Sequence, residues 1–349
     1  MLLKNRTIFR SPASCTETVL LRLQAYRAPW WASNAHVQTV SASRFSRKPL
    51  VRYRREIWDS PDGDILAVDH VDEAYAEPAQ GAGKHPQLVM FHGLEGSSQS
   101  HYSLAIMNQA ARLGWRACVV HFRGCGGLTN RKPRAYHSGD SAEIDWILRR
   151  FRSQSEGLLY AVGISLGGNA LLKWLGEQDV QANAVLDAAA AICPPQDLRA
   201  GAYALSSGIN LMYMRYFLNS LIPSALDRLE RFPGLYDRMA VIRSKSFIEF
   251  DELVTAPLHG FASAEHYWAS CSCGPWLAAI CTPCLIINPL NDPFIPASSL
   301  RGGSGLRPCV QLAYPRHGGH VGFVQGAWPA SIEWLPEILC EWLMASANG

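Results

Sequence analysis

The sequence of 349 residues has no apolar run long enough to cross a bilayer, no block of basic residues and no dense pattern of cysteines. Its most apolar window, residues 182–193, is too short for a membrane span and contains Asp187. The formal net charge is only +3, which gives no indication of a nucleic-acid-binding protein. With 48% hydrophobic residues, the composition favours a soluble protein with a large core.

The first residues, Met1 to Lys4, are not followed by a long apolar segment, so no signal peptide is predicted. We therefore expect a cytoplasmic protein, and peripheral contact with a membrane or lipid stays open. Basic residues are mildly concentrated in the first 55 residues, where a solvated face explains them better than a polyanion site. The sequence gives no indication of oligomeric state.

Ten cysteines in a chain of this length do not indicate a disulfide framework. Cys271 and Cys273, followed by Cys281 and Cys284, have a spacing that raises the alternative of a zinc site. The two pairs are close together, however, and Pro283 with the apolar residues 285–287 indicates the start of a strand. We therefore predict neither a metal nor a cofactor.

Short apolar segments alternate with helical patterns along most of the chain, which is typical of an α/β fold with a buried parallel sheet. A strong turn signal at residues 60–63 predicts an antiparallel hairpin at the start. We expect a mostly parallel central sheet with an antiparallel start and helices on both faces. The predicted strands are 52–58, 64–69, 88–91, 116–121, 158–163, 184–192, 284–288 and 310–314, and the predicted helices include 100–113, 141–152 and 336–343.

The alternation stops between about residues 195 and 270, where no clear strand is present. This stretch predicts a helical cap inserted into a domain of residues 51–349, preceded by an N-terminal arm of residues 1–50 that packs on the core. The Met-rich and aromatic segment 212–217 fits two interpretations, an acyl pocket and the core of the cap itself.

Residues 163–167 read Gly-Ile-Ser-Leu-Gly and lie between a predicted strand and a predicted helix. A G-x-S-x-G sequence in that setting is typical of the nucleophile elbow of serine hydrolases, which exposes the serine on a sharp turn. Bulky side chains at 163 and 167 would collide with the neighbouring strand and helix. A serine that caps a buried helix is the alternative interpretation of Ser165.

A nucleophilic serine needs a base and an acid that orients the base, and both are expected at the carboxyl ends of later strands. Asp292 follows the strand 284–288, although an aspartate in a turn before proline is also common. The loop after the last strand contains His317 and His320. We favour His320 as the base because Gly318 and Gly319 free the backbone to bring it inward. A surface histidine is the alternative for either one.

Two backbone N–H groups are needed to stabilise the oxyanion of an acyl-transfer reaction. One is expected from Leu166, directly after the predicted nucleophile. The other is expected from Leu94, in the loop 92–98 that follows the strand 88–91. An ordinary glycine-rich turn is the alternative interpretation of that loop.

From about residue 28 to its end, the chain resembles the α/β-hydrolases, and within them the YheT-like branch related to the ABHD-type esterases and lipases. The resemblance implies that Ser165 is the nucleophile, Asp292 the acid and His320 the base. The matching stretches are NAHVQT (34–39), HGLEGS (92–97), HFRGCGG (121–127), YHSGD (136–140), GISLGG (163–168), NDPFIP (291–296) and GGHVGF (318–323).

We therefore predict a serine carboxylic ester hydrolase that acts through an acyl-enzyme on short- to medium-chain acyl esters or lipids. A lipase or phospholipase with an interfacial cap is the alternative among enzymes. A non-catalytic scaffold that binds a ligand or partner is the alternative from another class. The sequence leaves the acyl chain, the alcohol and the choice among ester, thioester and amide undetermined.

Overall fold

One eight-stranded sheet forms the centre of the computed structural model, which describes residues 12–72 and 85–347. The strands are β1 Tyr53–Asp59, β2 Ile65–Val71, β3 Gln87–Phe91, β4 Arg116–Val120, β5 Leu159–Ile164, β6 Ala188–Ile192, β7 Cys284–Ile287 and β8 Val310–Ala313. Their order across the sheet is β1-β2-β4-β3-β5-β6-β7-β8. Strand β2 is antiparallel to β1 and β4, and all other pairs are parallel. The predicted mostly parallel sheet with an antiparallel start is confirmed.

Twelve α-helices lie within the described residues, and the first of them precedes the sheet. They are α1 Pro12–Gln24, α2 Ala35–Arg44, α3 His101–Arg112, α4 Ser141–Gln154, α5 Leu166–Gln178, α6 Leu198–Leu205, α7 Leu211–Arg231, α8 Arg238–Arg243, α9 Phe247–Phe250, α10 Ala256–Leu258, α11 Ala264–Cys271 and α12 Trp334–Ser346. Within these described parts of the chain, no helix combines the length and apolar character that a bilayer span requires.

Residues of the central strands alternate between two apolar layers, because successive side chains of a strand point to opposite faces. In β3, Leu88 and Met90 belong to the layer that includes Ile338 and Trp342 of α12. Val89 and Phe91 belong to the opposite layer, with residues of α4 and α5. Both faces of the sheet are therefore covered, which explains why the strands are continuous apolar runs.

The predicted strand 184–192 began too early, since β6 starts only at Ala188. Residues 179–184 form a 3₁₀ turn in which Ala182 is buried. The Asp187 side chain ends this connection by accepting hydrogen bonds from the Leu159 N–H at 2.7 Å and from Arg152 at 3.0 Å. The apolar residues before 188 thus cover the core without joining the sheet.

The segment between β6 and β7 contains helices α6 to α11 and no strand among its residues, all of which are described. These helices have an apolar cluster of their own, which includes Met214, Leu218, Phe250 and Trp268. Before the sheet, α1 packs against α12, where Arg22 forms an ion pair with Glu341. Residues 1–11 of the predicted N-terminal arm lie outside the described residues.

Candidate active site

Ser165 occupies the sharp turn between β5 and α5 with φ 51° and ψ −115°, a conformation that non-glycine residues rarely adopt. Its N–H donates to the Ile192 carbonyl at 2.8 Å, and its own carbonyl accepts from the Asn169 N–H at 3.0 Å. The backbone of the turn is therefore bonded to β6 on one side and to α5 on the other. This holds the Ser165 side chain at the carboxyl edge of the sheet.

The glycines around Ser165 are required by close backbone contacts. A methyl group on Gly163 would lie 2.5 Å from the Gly167 carbonyl oxygen and 2.6 Å from the Gly168 Cα. A methyl group on Gly167 would lie 2.5 Å from the Phe91 carbonyl oxygen at the end of β3. Helix α5 can start directly after Ser165 only because these positions have no side chain.

His320 and Asp292 lie next to Ser165 although they are distant in the sequence. The His320 Nε2 is 3.0 Å from the Ser165 Oγ, and the His320 Nδ1 is 2.8 Å from the Asp292 Oδ2. The Asp292 side chain is fully buried, and its other oxygen accepts from the Phe294 N–H at 2.8 Å. In contrast, the Nδ1 of His317 is buried and has no hydrogen-bond partner among the described residues.

The loop that carries His320 is held by helix α2. The Gln38 side-chain oxygen accepts from the Gly318 N–H at 2.6 Å, and the Thr39 hydroxyl accepts from the His320 N–H at 2.9 Å. A methyl group on Gly319 would lie 2.8 Å from the Ala35 carbonyl, so the loop lies directly on α2. Gly319 itself has φ 58°, which suits glycine.

The loop after β3 lies against Ser165 on another side. A methyl group on Gly93 would come within 3.3 Å of the Ser165 Cβ. The N–H groups of Leu94 and Leu166 have no hydrogen-bond partner within the part of the chain that the structure describes, and both residues line the same cavity as Ser165. Two free donors beside a serine hydroxyl can stabilise a negative oxygen.

His92 anchors the start of this loop. Burial lowers the pKa of His92 to about 3, so the ring is neutral at physiological pH. A neutral imidazole offers one donor and one acceptor. The His92 Nδ1–H donates to the Gly93 carbonyl at 2.7 Å, and the His92 Nε2 accepts from the Phe122 N–H at 3.1 Å. His92 therefore joins the loop after β3 to the end of β4.

Asp69 fixes the far end of the same loop. Its carboxylate accepts from the Ser98 hydroxyl at 2.6 Å, from Arg55 at 2.7 and 2.8 Å, and from His121 at 2.9 Å. Burial acts to raise the pKa of Asp69, but the hydrogen bonds from Arg55, His121 and Ser98 hold it below the usual range. The carboxylate therefore stays ionised and ties the loop to β2.

A cavity of about 170 Å³ opens onto Ser165 and His320. Its wall opposite the sheet comes from helices between β6 and β7. The lining is mainly apolar and includes Leu94, Leu198, Phe217, Leu221, Phe250 and Phe294. The Phe294 ring lies 4.3 Å from the His320 ring between centroids, so it also packs directly on the imidazole. A cavity of this character suits an uncharged hydrocarbon group.

The four cysteines considered for zinc are used in other ways. The Cys281 thiol donates to Asp179 at 2.7 Å, and the Cys273 N–H donates to Asn169. Cys271 is buried at the end of α11, and Cys284 is buried in β7. Among the described residues, the atoms of Cys193, Asp292 and His320 form a group compact enough for a metal ion. These atoms already take part in hydrogen bonds with one another and with the Val321 N–H. The expectation of a metal-free protein stays a prediction.

Sequence reasoning selected Ser165, Asp292, His320, Leu94 and Leu166, and the structure brings all five to one edge of the sheet. The sequence patterns predicted no role for Gln38 and Thr39, although both lie in one of the stretches that carry the family resemblance. Their partners are about 280 positions away in the chain. No local pattern reveals such a contact.

The comparison with protein families matches residues 86–327 to the family model described as alpha/beta hydrolase fold. The chain is 38% identical over 315 residues to a protein of Escherichia coli described as putative esterase YheT, which covers 89% of this chain and 90% of that protein. It is 26% identical over 325 residues to human phospholipase ABHD3, covering 92% of this chain and 79% of that protein.

A similar match exists to the monoacylglycerol lipase of Saccharomyces cerevisiae, with 26% identity over 356 residues, 89% of this chain and 78% of that protein. Among solved structures, an esterase of Pyrococcus furiosus superposes with a TM-score of 0.51 at 14% identity. That alignment covers 84% of this chain and 94% of the esterase. At this identity the structural match supports the fold alone.

The close contacts at the Ser165 turn predict that Gly163→Ala destabilises the protein by about 1–3 kcal/mol, because the new methyl group overlaps backbone atoms that cannot move independently. The measurement is the free energy of unfolding in urea. Gly302→Ala is the matched control, since nothing lies within 4 Å of its added methyl group. Equal stability of the two variants would contradict this account of the turn.

Proposed function

Because the chain belongs to the α/β-hydrolase family, we propose that it is a serine hydrolase of carboxylic esters that works through an acyl-enzyme. The observation that carries the proposal is the hydrogen-bonded series from Ser165 through His320 to Asp292, with distances of 3.0 and 2.8 Å. This is the order of groups that nucleophilic catalysis by serine requires.

In the proposed reaction, the Ser165 Oγ attacks the carbonyl carbon while the His320 Nε2 takes the hydroxyl proton. Asp292 holds His320 with its Nδ1–H directed at the carboxylate and stabilises the imidazolium that forms. The leaving alcohol then receives the proton from His320, and an acyl group stays on Ser165. Water, activated by the same imidazole, attacks this acyl group and releases the carboxylic acid.

The N–H groups of Leu94 and Leu166 are proposed to bind the oxyanion of the two tetrahedral intermediates. Their loops are held by His92, Asp69 and the start of α5, so the donors are in place before the substrate binds. Donors that need no reorganisation contribute most to the stabilisation of developing charge.

We propose acyl esters or lipids with short to medium chains as substrates, and helices α6 to α11 as a cap over Ser165. The apolar lining of the cavity supports an acyl chain. Relatives named as an esterase, a phospholipase and a monoacylglycerol lipase support an ester with a lipid-like acyl group. The cap would exclude water from the acyl chain.

A specific surface favours the lipase alternative, in which the substrate is taken from a membrane. The aromatic surface consists of Trp30, Trp31, Phe45, Tyr216 and Trp328. Ring contacts link three of its members, with Trp328 5.5 Å from Trp31 and 5.1 Å from Phe45 between centroids. Trp30 is 90% exposed, and Tyr216, Trp328 and Phe45 are each more than half exposed. Monomeric proteins rarely expose so many neighbouring aromatic rings without an interaction partner.

The charge near the aromatic surface is complementary to an anionic bilayer. Residues 27–54 contain six Lys and Arg, all of them exposed, and no Asp or Glu. Arg44 lies over the Tyr216 ring at 5.2 Å, within this surface. Rings that sit at the water–lipid boundary beside basic side chains are typical of peripheral membrane binding. We therefore propose anionic lipid membranes as the partner of this surface.

Ser165→Ala is expected to lower kcat for 4-nitrophenyl esters by about a thousandfold or more while the unfolding transition is retained, since only a hydroxyl is removed. His320→Ala is expected to have a similar effect. His317→Ala is the matched control and is expected to keep the wild-type rate. Labelling by a fluorophosphonate adds a direct test: absence of any label on wild-type Ser165 would favour the non-catalytic binding scaffold.

Thr39→Val is expected to lower kcat about tenfold with little change in KM, because the His320 N–H loses its acceptor and the imidazole loses its fixed position. Valine has nearly the same shape as threonine, so packing is preserved. Ser43→Ala on the same helix removes a hydroxyl that bonds only to the Val40 carbonyl, and it is the control. If both variants show the same kcat, α2 does not position His320.

Replacement of both Phe45 and Trp328 by alanine is expected to weaken binding to vesicles of phosphatidylserine and phosphatidylcholine by about tenfold or more. The reason is that two aromatic rings no longer insert into the lipid. Sedimentation with the vesicles measures the bound fraction. Val180→Ala is the control, as Val180 is 61% exposed but lies outside the aromatic surface. Wild-type protein that stays entirely in the supernatant would refute the membrane proposal.

A further inference from the structure

Arg228 is a buried cation in the wall of the largely apolar cavity. It lies on α7, is only 7% exposed, and lines the same cavity as Ser165 and His320. A methyl group on Gly124, in the loop after β4, would lie 3.8 Å from an Arg228 guanidinium nitrogen. The guanidinium therefore sits where the helices between β6 and β7 meet the sheet edge.

No carboxylate within the described ranges forms an ion pair with Arg228. The other deeply buried arginine, Arg123, is 3% exposed and is paired with Asp62, Asp64 and Glu143. Removing a guanidinium from water is costly, and a partner normally offsets that cost. Arg123 therefore has carboxylate partners for its buried charge, whereas Arg228 has none among the described residues.

The groups around Arg228 do not supply the missing negative charge. One polar neighbour of Arg228 is the hydroxyl of Tyr236, which donates its own proton to the Ala225 carbonyl at 2.6 Å. Two carboxylates of the described residues line the cavity, and neither lies within 4.0 Å of the Arg228 guanidinium nitrogens. Glu95 accepts from the Tyr136 hydroxyl at 2.8 Å, and Asp251 accepts from Trp268 at 2.9 Å.

A second unused polar atom lines the same cavity. The Nε2 of His259 is buried and has no hydrogen-bond partner among the described residues. Burial lowers the pKa of His259 to about 3, and His137, Arg134 and Arg228 add to this effect against an opposing contribution from Asp140. The imidazole is therefore neutral and carries a single N–H. In the tautomer with this hydrogen on Nε2, His259 presents a donor to the cavity.

We propose that Arg228 and His259 bind an oxyanion, a carboxylate or a phosphate, that belongs to the substrate and lies apart from the ester attacked by Ser165. The inference rests on the proposed ester hydrolysis at Ser165. The guanidinium presents paired N–H donors that match carboxylate and phosphate oxygens, and the His259 Nε2–H adds a third. The substrate is then an ester that carries a fixed negative charge as well as an apolar acyl group.

The test compares matched esters with and without the charge. For a carboxylate, mono-4-nitrophenyl adipate is compared with 4-nitrophenyl hexanoate. For a phosphate, lysophosphatidic acid is compared with the monoacylglycerol of the same acyl chain. Wild-type protein is expected to have the higher kcat/KM for the charged member of at least one pair, and the pair that shows it identifies the source of the oxyanion.

Arg228→Met is expected to lower kcat/KM for that charged ester about tenfold to a hundredfold more than for its uncharged partner, which is the loss typical of a hydrogen-bonded charge. Arg228→Lys is expected to recover part of the preference, as it keeps the charge without the paired donors. Arg215→Met, on the exposed face of the same helix, is the control. Equal losses for both esters of each pair would overturn the proposal in favour of a structural role.

Binding without turnover separates this inference from the proposed function. Adipate and inorganic phosphate are titrated into Ser165→Ala, and heat of binding is measured. Binding that disappears in the Ser165→Ala, Arg228→Met double variant supports the oxyanion site even if no ester is hydrolysed. If neither anion binds at 10 mM, which corresponds to a binding free energy weaker than about 3 kcal/mol, the oxyanion site is overturned even if neutral esters are hydrolysed.

Discussion

The tight turn at Ser165 is the constraint on which the rest of the site depends. A non-glycine residue at φ 51° costs about 1–3 kcal/mol, and such strain persists only where the surroundings fix it. Here β5 is paired on both sides, with β3 and β6, and the Ser165 backbone is bonded to Ile192 and Asn169. The packing of α5 against the sheet in turn requires glycine at 163 and 167.

The parallel strands bring the other groups to the same edge, but they do not orient them. Strands β3, β5, β7 and β8 run in one direction, so the loops after them converge near Ser165. Orientation comes from elements outside the parallel strands. Helix α2 fixes the His320 loop through Gln38 and Thr39, and Asp69 of β2 fixes the Leu94 loop through Ser98. Helix α2 and strand β2 therefore support the candidate site.

Features with a local cause were predictable from the sequence. The strands around Ser165 are short apolar runs, and Asp292 and His320 lie in the loops after two of them. The start of β6 was placed four residues too early because a run of small apolar residues suits both a 3₁₀ turn and a strand. The role of Thr39 and the lack of a partner for Arg228 depend on contacts between distant segments. The hydrophobic periodicity of a sequence reports local structure and does not reveal such long-range contacts.

Two sets of residues line the cavity, those proposed for the chemistry at Ser165 and those proposed to contact the rest of the substrate. Ser165, Leu166 and His320 come from the sheet edge, whereas Leu198, Phe217, Arg228 and Phe250 come from helices with a separate apolar cluster. Because those helices hold their own core, their cavity-facing residues can differ without disturbing the strained turn. The proposed substrate contacts are therefore made by side chains that do not support the turn at Ser165.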